Sequence, residues 1–95
     1  MKVVYSEYAK RELIDAVNFY EIEYQGLGEE FKSEVKLASI RILQYPEAWS
    51  IDKGEIRKCL LLKFPYKILY SIEADYIFII AIAHQHRKPD YWIDQ

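Results

Sequence analysis

Cysteine is nearly absent from these 95 residues: Cys59 is alone. A single thiol can form no internal disulfide and no multi-cysteine zinc site, so a reduced thiol in a cytoplasmic protein is expected. Glycine and proline are also scarce, at three each. The sequence contains no Gly-rich phosphate loop, no nucleophile-elbow pattern, no Cys-x-x-Cys and no Pro- or Gly-rich interdomain linker. Long apolar runs are missing too. The longest, Tyr76 to Ala83, has eight residues, against about 20 for a membrane-spanning helix. The opening Met1-Lys2-Val3-Val4-Tyr5 has no long apolar stretch and no small-residue cleavage site, so no signal peptide is expected. Net charge is only −2, which argues against a protein that coats nucleic acid by bulk electrostatics.

Apolar residues make up 52% of the chain, enough to build a core, and the length fits one domain over residues 1–95. Charge is uneven along the chain. Residues 1–48 hold six basic and nine acidic side chains, residues 49–95 seven and six. Lys53, Arg57, Lys58, Lys63 and Lys67 crowd one segment with a single acid, Glu55. Any anion-binding surface is therefore expected in the second half.

Periodicity assigns the elements. Lys2 to Tyr5 is β-branched and short, a strand. Ser6 can cap a helix, with Glu7 in the first turn where the dipole favours an anion. Ala9, Leu13, Ala16, Val17, Tyr20 and Tyr24 recur at steps of three and four, one face of an amphipathic helix that Gly26 and Gly28 should stop. A second helix begins with Glu29 and Glu30, carries Phe31, Val35, Ala38 and Ile42 as its stripe, and ends at Pro46. The short link makes the two an antiparallel hairpin. After the turn signal Asp52-Lys53-Gly54 the period becomes two. Ile56 to Lys63, Tyr66 to Glu73 and Tyr76 to Ala83 read as strands. Their connections, Phe64-Pro65 and Ala74-Asp75, are too short for a crossover, so the strands form an antiparallel meander. The last strand is apolar on both faces and is expected in the sheet interior. The fold class is α+β: an N-terminal helix hairpin on one face of a small, twisted, mainly antiparallel sheet.

Strand parity then predicts which side chains share a face. With two-residue connections, Lys58, Leu60, Leu62, Lys67, Leu69, Ser71, Phe78, Ile80, Ile82, His84 and His86 fall on one side. Arg57, Cys59, Leu61, Ile68, Tyr70, Ile72, Ile77, Ile79, Ala81 and Ala83 fall on the other. The second set is the more apolar and is assigned to the helices. The open face then carries Lys58 and Lys67, which are either paired phosphate-binding cations or two solvated lysines. His84 and His86 at strand spacing suit general acid–base work near neutral pH, or simple surface hydrogen bonding. No neighbouring Cys or carboxylate cluster completes a metal site around them. Arg87 and Tyr91, in the basic-aromatic ending Arg87 to Trp92, could contact phosphate and base. Trp92 is expected to cover the sheet edge. The exposed apolar set Leu60, Leu62, Leu69, Phe78 and Ile80 should be covered by a partner segment. Cys59, on the helix side beside Tyr70, is expected to be a small core residue.

Four stretches together resemble the RelE/ParE toxins of bacterial type II toxin–antitoxin (plasmid stabilisation) modules. They are Glu12-Leu13-Ile14-Asp15-Ala16 with Tyr20-Glu21, the link Gly26-Leu27-Gly28-Glu29-Glu30-Phe31, the segment Arg57 to Tyr70, and the ending His84 to Trp92. The resemblance spans nearly the whole chain. It implies a helix hairpin on a twisted antiparallel sheet, and an antitoxin that wraps and silences the toxin in a hetero-oligomer. No cofactor, metal or membrane is expected. The resemblance also implies one of two activities. RelE-like members cleave mRNA on the ribosome without a metal, using basic residues on the open sheet face. ParE-like members inhibit growth through DNA gyrase. In the cleaving branch the first basic strand has lysines at alternate positions and the next begins with an arginine after a tyrosine. Lys58 matches the first lysine, Leu60 stands at the second, and Lys67 follows Tyr66 where that arginine sits. Arg87 and Tyr91 approximate the branch's C-terminal pair. The turn Phe64-Pro65-Tyr66 and the ending Arg87-Lys88-Pro89-x-Tyr91-Trp92 look closer to ParE-like members. A non-toxic, antitoxin-binding relative is a third possibility.

Overall fold

Ser6 ties the first strand, the first helix and the last strand together. Its extended backbone ends β1 (Lys2–Tyr5) and starts α1 (Glu7–Glu23). Its Oγ accepts from Ala9 N at 2.9 Å, the expected cap, and donates to Ile80 O at 2.8 Å. The computed structural model describes residues 1–86. After α1 come α2 (Leu27–Gln44), β2 (Ile51–Lys53), β3 (Ile56–Leu60), β4 (Tyr66–Ile72) and β5 (Tyr76–His84). The strands form one sheet in the order β1-β5-β4-β3-β2. β1 lies parallel to β5, and the other neighbours are antiparallel. β5 is interior, as its two apolar faces require.

The helix hairpin closes more tightly than the sequence suggests. Gly26, at φ 88, is the left-handed residue that turns the chain. Gly28 is not part of the link but sits inside the first turn of α2. A Cβ there would lie 2.5 Å from Val17 O, so only glycine permits this approach of the two helices. Glu21 Oε2 accepts from Gly26 N at 2.9 Å and its Oε1 from Gly28 N at 3.0 Å, satisfying donors at the start of α2 that no helical carbonyl reaches.

The α2 stripe is buried as expected: Phe31, Val35, Ala38 and Ile42 are all at 1% exposure or less. From α1, Ala9 and Ala16 are buried and Leu13, Val17 and Tyr20 pack at the core margin, but Tyr24 points to solvent. Tyr24 follows the helix, where the period no longer applies. From the sheet come Cys59, Leu61, Ile68, Tyr70, Ile77, Ile79 and Ile82. Tyr20, Phe31, Phe64 and Tyr66 form an aromatic cluster with centroids 4.9–5.3 Å apart in four of its pairs, each worth about 0.5–1.5 kcal/mol beyond its area. Tyr70 Oη donates to Pro46 O at 2.6 Å, holding the exit of α2 on the central strand.

The meander differs from the simplest pattern at three places. The turn signal Asp52-Lys53-Gly54 overlaps a strand: Ile51–Lys53 pairs with β3 before the chain turns at Gly54, φ 57. β3 stops at Leu60, because the link to β4 runs from Leu61 to Pro65 rather than through Phe64-Pro65 alone. The third is a bulge in β5. Near the turn, Ser71 opposes Phe78 and Tyr70 opposes Ile79. Beyond it, Leu69 opposes Ala81 and Tyr66 opposes His84. Ile80 is the extra residue, so every β5 side chain after it changes face.

Candidate functional site

Lys58 and Lys67 share the face away from the helices: Lys58 opposes Leu69, and Lys67 opposes Leu60, which lies two residues from Lys58. Both are partly exposed. Lys58 Nζ lies 4.0 Å from Asp52 Oδ1, a surface pair that contributes at most about 1 kcal/mol. So the two lysines occupy diagonal positions on one face of the sheet, the face on which strand parity puts both.

The imidazoles do not join them. The bulge carries Ile82 and His84 to the helix side, which corrects the predicted face. His84 opposes Tyr66 with ring centroids 5.5 Å apart. With Glu12, Asp15, Ala16 and Phe19 of α1 it lines a cavity of about 300 Å³. His86 follows in a turn, its ring 5.3 Å from that of His84, and its N–H donates to His84 Nδ1 at 3.2 Å. Tyr66 has its phenol pushed up by burial and then by the charge of Glu12. His84 thus shares its side of the sheet with two carboxylates, a poor setting for an RNA phosphate. Arg87 and Tyr91 lie outside the described residues.

Of the five apolar residues expected to form one bare patch, Leu60, Leu69 and Phe78 share the face of Lys58 and Lys67 but differ in exposure. Leu60 and Leu62 are exposed, at 48% and 84%. Leu69 is buried at 2%, so it is not available to a partner. Phe78 and Ile80 are half-buried towards the β1 side of the sheet. Cys59 is fully buried, its thiol pushed up by burial against the opposing pull of the Arg41 guanidinium.

Two glutamates escaped sequence reasoning. Glu12 Oε1 accepts from Ile82 N at 2.7 Å, beside the bulge. Glu34, buried, accepts from Leu62 N at 2.5 Å and Lys63 N at 2.9 Å. The signal was there: each lies at helical spacing within an apolar stripe, Ala9-Glu12-Ala16 and Phe31-Glu34-Ala38. An acid in such a place must meet buried donors. Among the described residues, no group of three or more His, Cys, Asp or Glu side chains is arranged to hold a metal ion. No helix there is long and apolar enough to cross a membrane.

No protein-family model matches the chain, and no curated protein matches it. Among solved structures it is similar to a chain of the chromosomal ParDE TA system from P. aeruginosa. The TM-score is 0.68 and the identity 16%, over 88% of this chain and 95% of that one. The fold is therefore RelE/ParE-like: two helices on a five-stranded mixed sheet.

Proposed function

We propose that this protein is the toxin of a bacterial type II toxin–antitoxin module. On this reading it is of the ParE-like kind, inhibits growth through a protein target, DNA gyrase, and is neutralised by a cognate antitoxin in a hetero-oligomer. It works in the cytoplasm. The fold and the four matching sequence stretches support the toxin class. One observation favours the ParE-like branch. Cleavage by 2′-OH attack needs a base, an acid and cations converging on one phosphate. Here Lys58 and Lys67 lie on one side of the sheet, and His84 on the other among Glu12 and Asp15.

The alternative is a ribosome-dependent endoribonuclease of the RelE type, favoured by the shared face of Lys58 and Lys67. Induction of the protein alone separates these readings. The expected result is growth arrest with gyrase-dependent DNA breaks and intact transcripts. Cuts in translated messages would replace gyrase with the ribosome, and unimpeded growth with tight antitoxin binding would leave a non-toxic relative.

A further inference from the structure

β1 is one of the two edge strands of the sheet, and its pairing has a definite phase. Val4 lies opposite Phe78 and Tyr5 opposite Ile79, in parallel, and Ser6 N donates to Ile79 O at 2.9 Å. In such a ladder alternate residues bond to the neighbouring strand. Lys2, Val4 and Ser6 therefore turn their N–H and C=O groups to β5, and Val3 and Tyr5 turn theirs outward. No strand among the described residues lies on that outer side. The side chains of Val3 and Tyr5 are half-buried at the core margin. The edge is thus anchored by its side chains, while its outer backbone groups meet no strand.

We infer that this edge receives the β1 edge of a second copy of the chain, antiparallel, so that one sheet continues through both. One register uses both outward residues of each copy: Val3 opposite Tyr5 of the second copy and Tyr5 opposite its Val3, with the two-fold axis at Val4. Charge fixes the direction. In that register Lys2 falls opposite Ser6 and beside Glu7 of the second copy, and the same pair recurs across the axis. Lys2 is exposed, and the Glu7 side chain is 83% exposed. Glu7 holds Lys10 Nζ through Oε1 at 3.3 Å, which leaves Oε2 for Lys2. The surrounding charges agree. Glu73 and Asp75 lie at the Lys2 end, next to Tyr76. Lys10 and Arg11 lie at the Glu7 end, where Glu12 is engaged with Ile82 N. Antiparallel pairing sets the acids of one copy towards the bases of the other, whereas parallel pairing would set Lys2 on Lys2 and Glu7 on Glu7. The contact uses neither Lys58, Lys67 nor the β3 edge, so it does not depend on the toxin reading.

The test uses the full chain, labelled with ¹⁵N, over a series of concentrations. In dilute solution the Val3 and Tyr5 amides should exchange faster than those of Val4 and Ser6, and they should slow together as the dimer forms. Val4→Cys should cross-link to itself under mild oxidation, because a non-bonded antiparallel pair brings its Cα atoms to about 4.5 Å. The more exposed Lys2→Cys, which faces Ser6 of the second copy, should not. Cys59 is buried and stays out of the reaction. Lys2→Glu or Glu7→Lys alone should weaken the dimer about tenfold, and the two together should restore it. If Val4→Cys does not fold, this charge exchange still decides, since both side chains are exposed. A chain that stays monomeric at every concentration would overturn the inference. So would Val3 and Tyr5 amides already protected in the monomer, cross-linking of Lys2→Cys in place of Val4→Cys, or a doubly exchanged variant no tighter than the single ones.

Discussion

Each helix sends a glutamate to an irregular place in the sheet, and the two places end up differently furnished. On the β1 flank of β5, Ser6 N donates to Ile79 O at 2.9 Å, Ser6 Oγ to Ile80 O, and Glu12 accepts from Ile82 N. The bulge is closed from outside by α1. At the end of β3, Glu34 holds Leu62 and Lys63, Ser50 holds Lys58, and Leu60 between them faces outward. The first arrangement fixes architecture. The second fixes the rim of an opening and leaves its centre bare. Both helices pack on the same side of the sheet, so the difference lies in how far β1 and β2 run: β1 follows β5 up to the bulge, whereas β2 is three residues long.

The comparison predicts unequal penalties. Glu34→Ala removes two charge-assisted bonds from a buried carboxylate and leaves two amides without acceptors. It should destabilise by about 2–3 kcal/mol in urea unfolding. Glu12→Ala, which frees Ile82 N, should cost about 1–2 kcal/mol. Amide exchange should accelerate at residues 62–63 in the first variant and at 82 in the second. Acceleration at both places in either variant would mean that the two rims are one cooperative unit.

Tyr70 provides a pH-dependent test of the core beneath both rims. Burial pushes its phenol up to about 12, the charge of Arg57 only partly opposing this. The raised folded pKa means that its stabilising contribution is complete below pH 10 and is lost as pH rises from 10 towards 12. Stability measured at pH 9 and pH 11.5 should show that fall, and Tyr70→Phe should reduce it. An unchanged alkaline slope in Tyr70→Phe would assign the effect to Tyr20 and Tyr66, whose phenols are also pushed up, chiefly by burial. The smallest effect belongs to the open face. Lys67→Ala should move stability by no more than about 0.5 kcal/mol. A large fall in melting temperature would show that its methylene stem packs against the buried Leu69.

Much of this layout is legible before any coordinates. The α2 stripe, the Ser6 cap, the interior place of β5 and the common face of Lys58 and Lys67 follow from period and capping chemistry. The bulge does not. Ile79-Ile80-Ala81-Ile82-Ala83 is apolar at every position, so alternation carries no information about which face each residue takes, and the inserted residue is invisible. That one residue moved His84 away from the lysines and so altered the candidate chemistry. β2 was hidden for another reason. Three residues before a glycine turn are too few to show a period of two. Glu12 and Glu34 were readable in principle, since a carboxylate inside an apolar stripe announces a buried donor, but their partners are 70 and 28 residues away.

The pairing of β1 with β5 also governs when this protein can exist in finished form. As the ribosome extends the chain, the helix hairpin and the β2–β3–β4 segment can assemble from near neighbours. Lys2–Tyr5 must wait for Tyr76–His84, since among the described strands β5 is its one neighbour. Until that late strand emerges, the first one has nothing to pair with and the Ser6 hydroxyl has no Ile80 carbonyl to reach. A truncated translation product that stops before Tyr76 therefore lacks its sheet closure and should be inert.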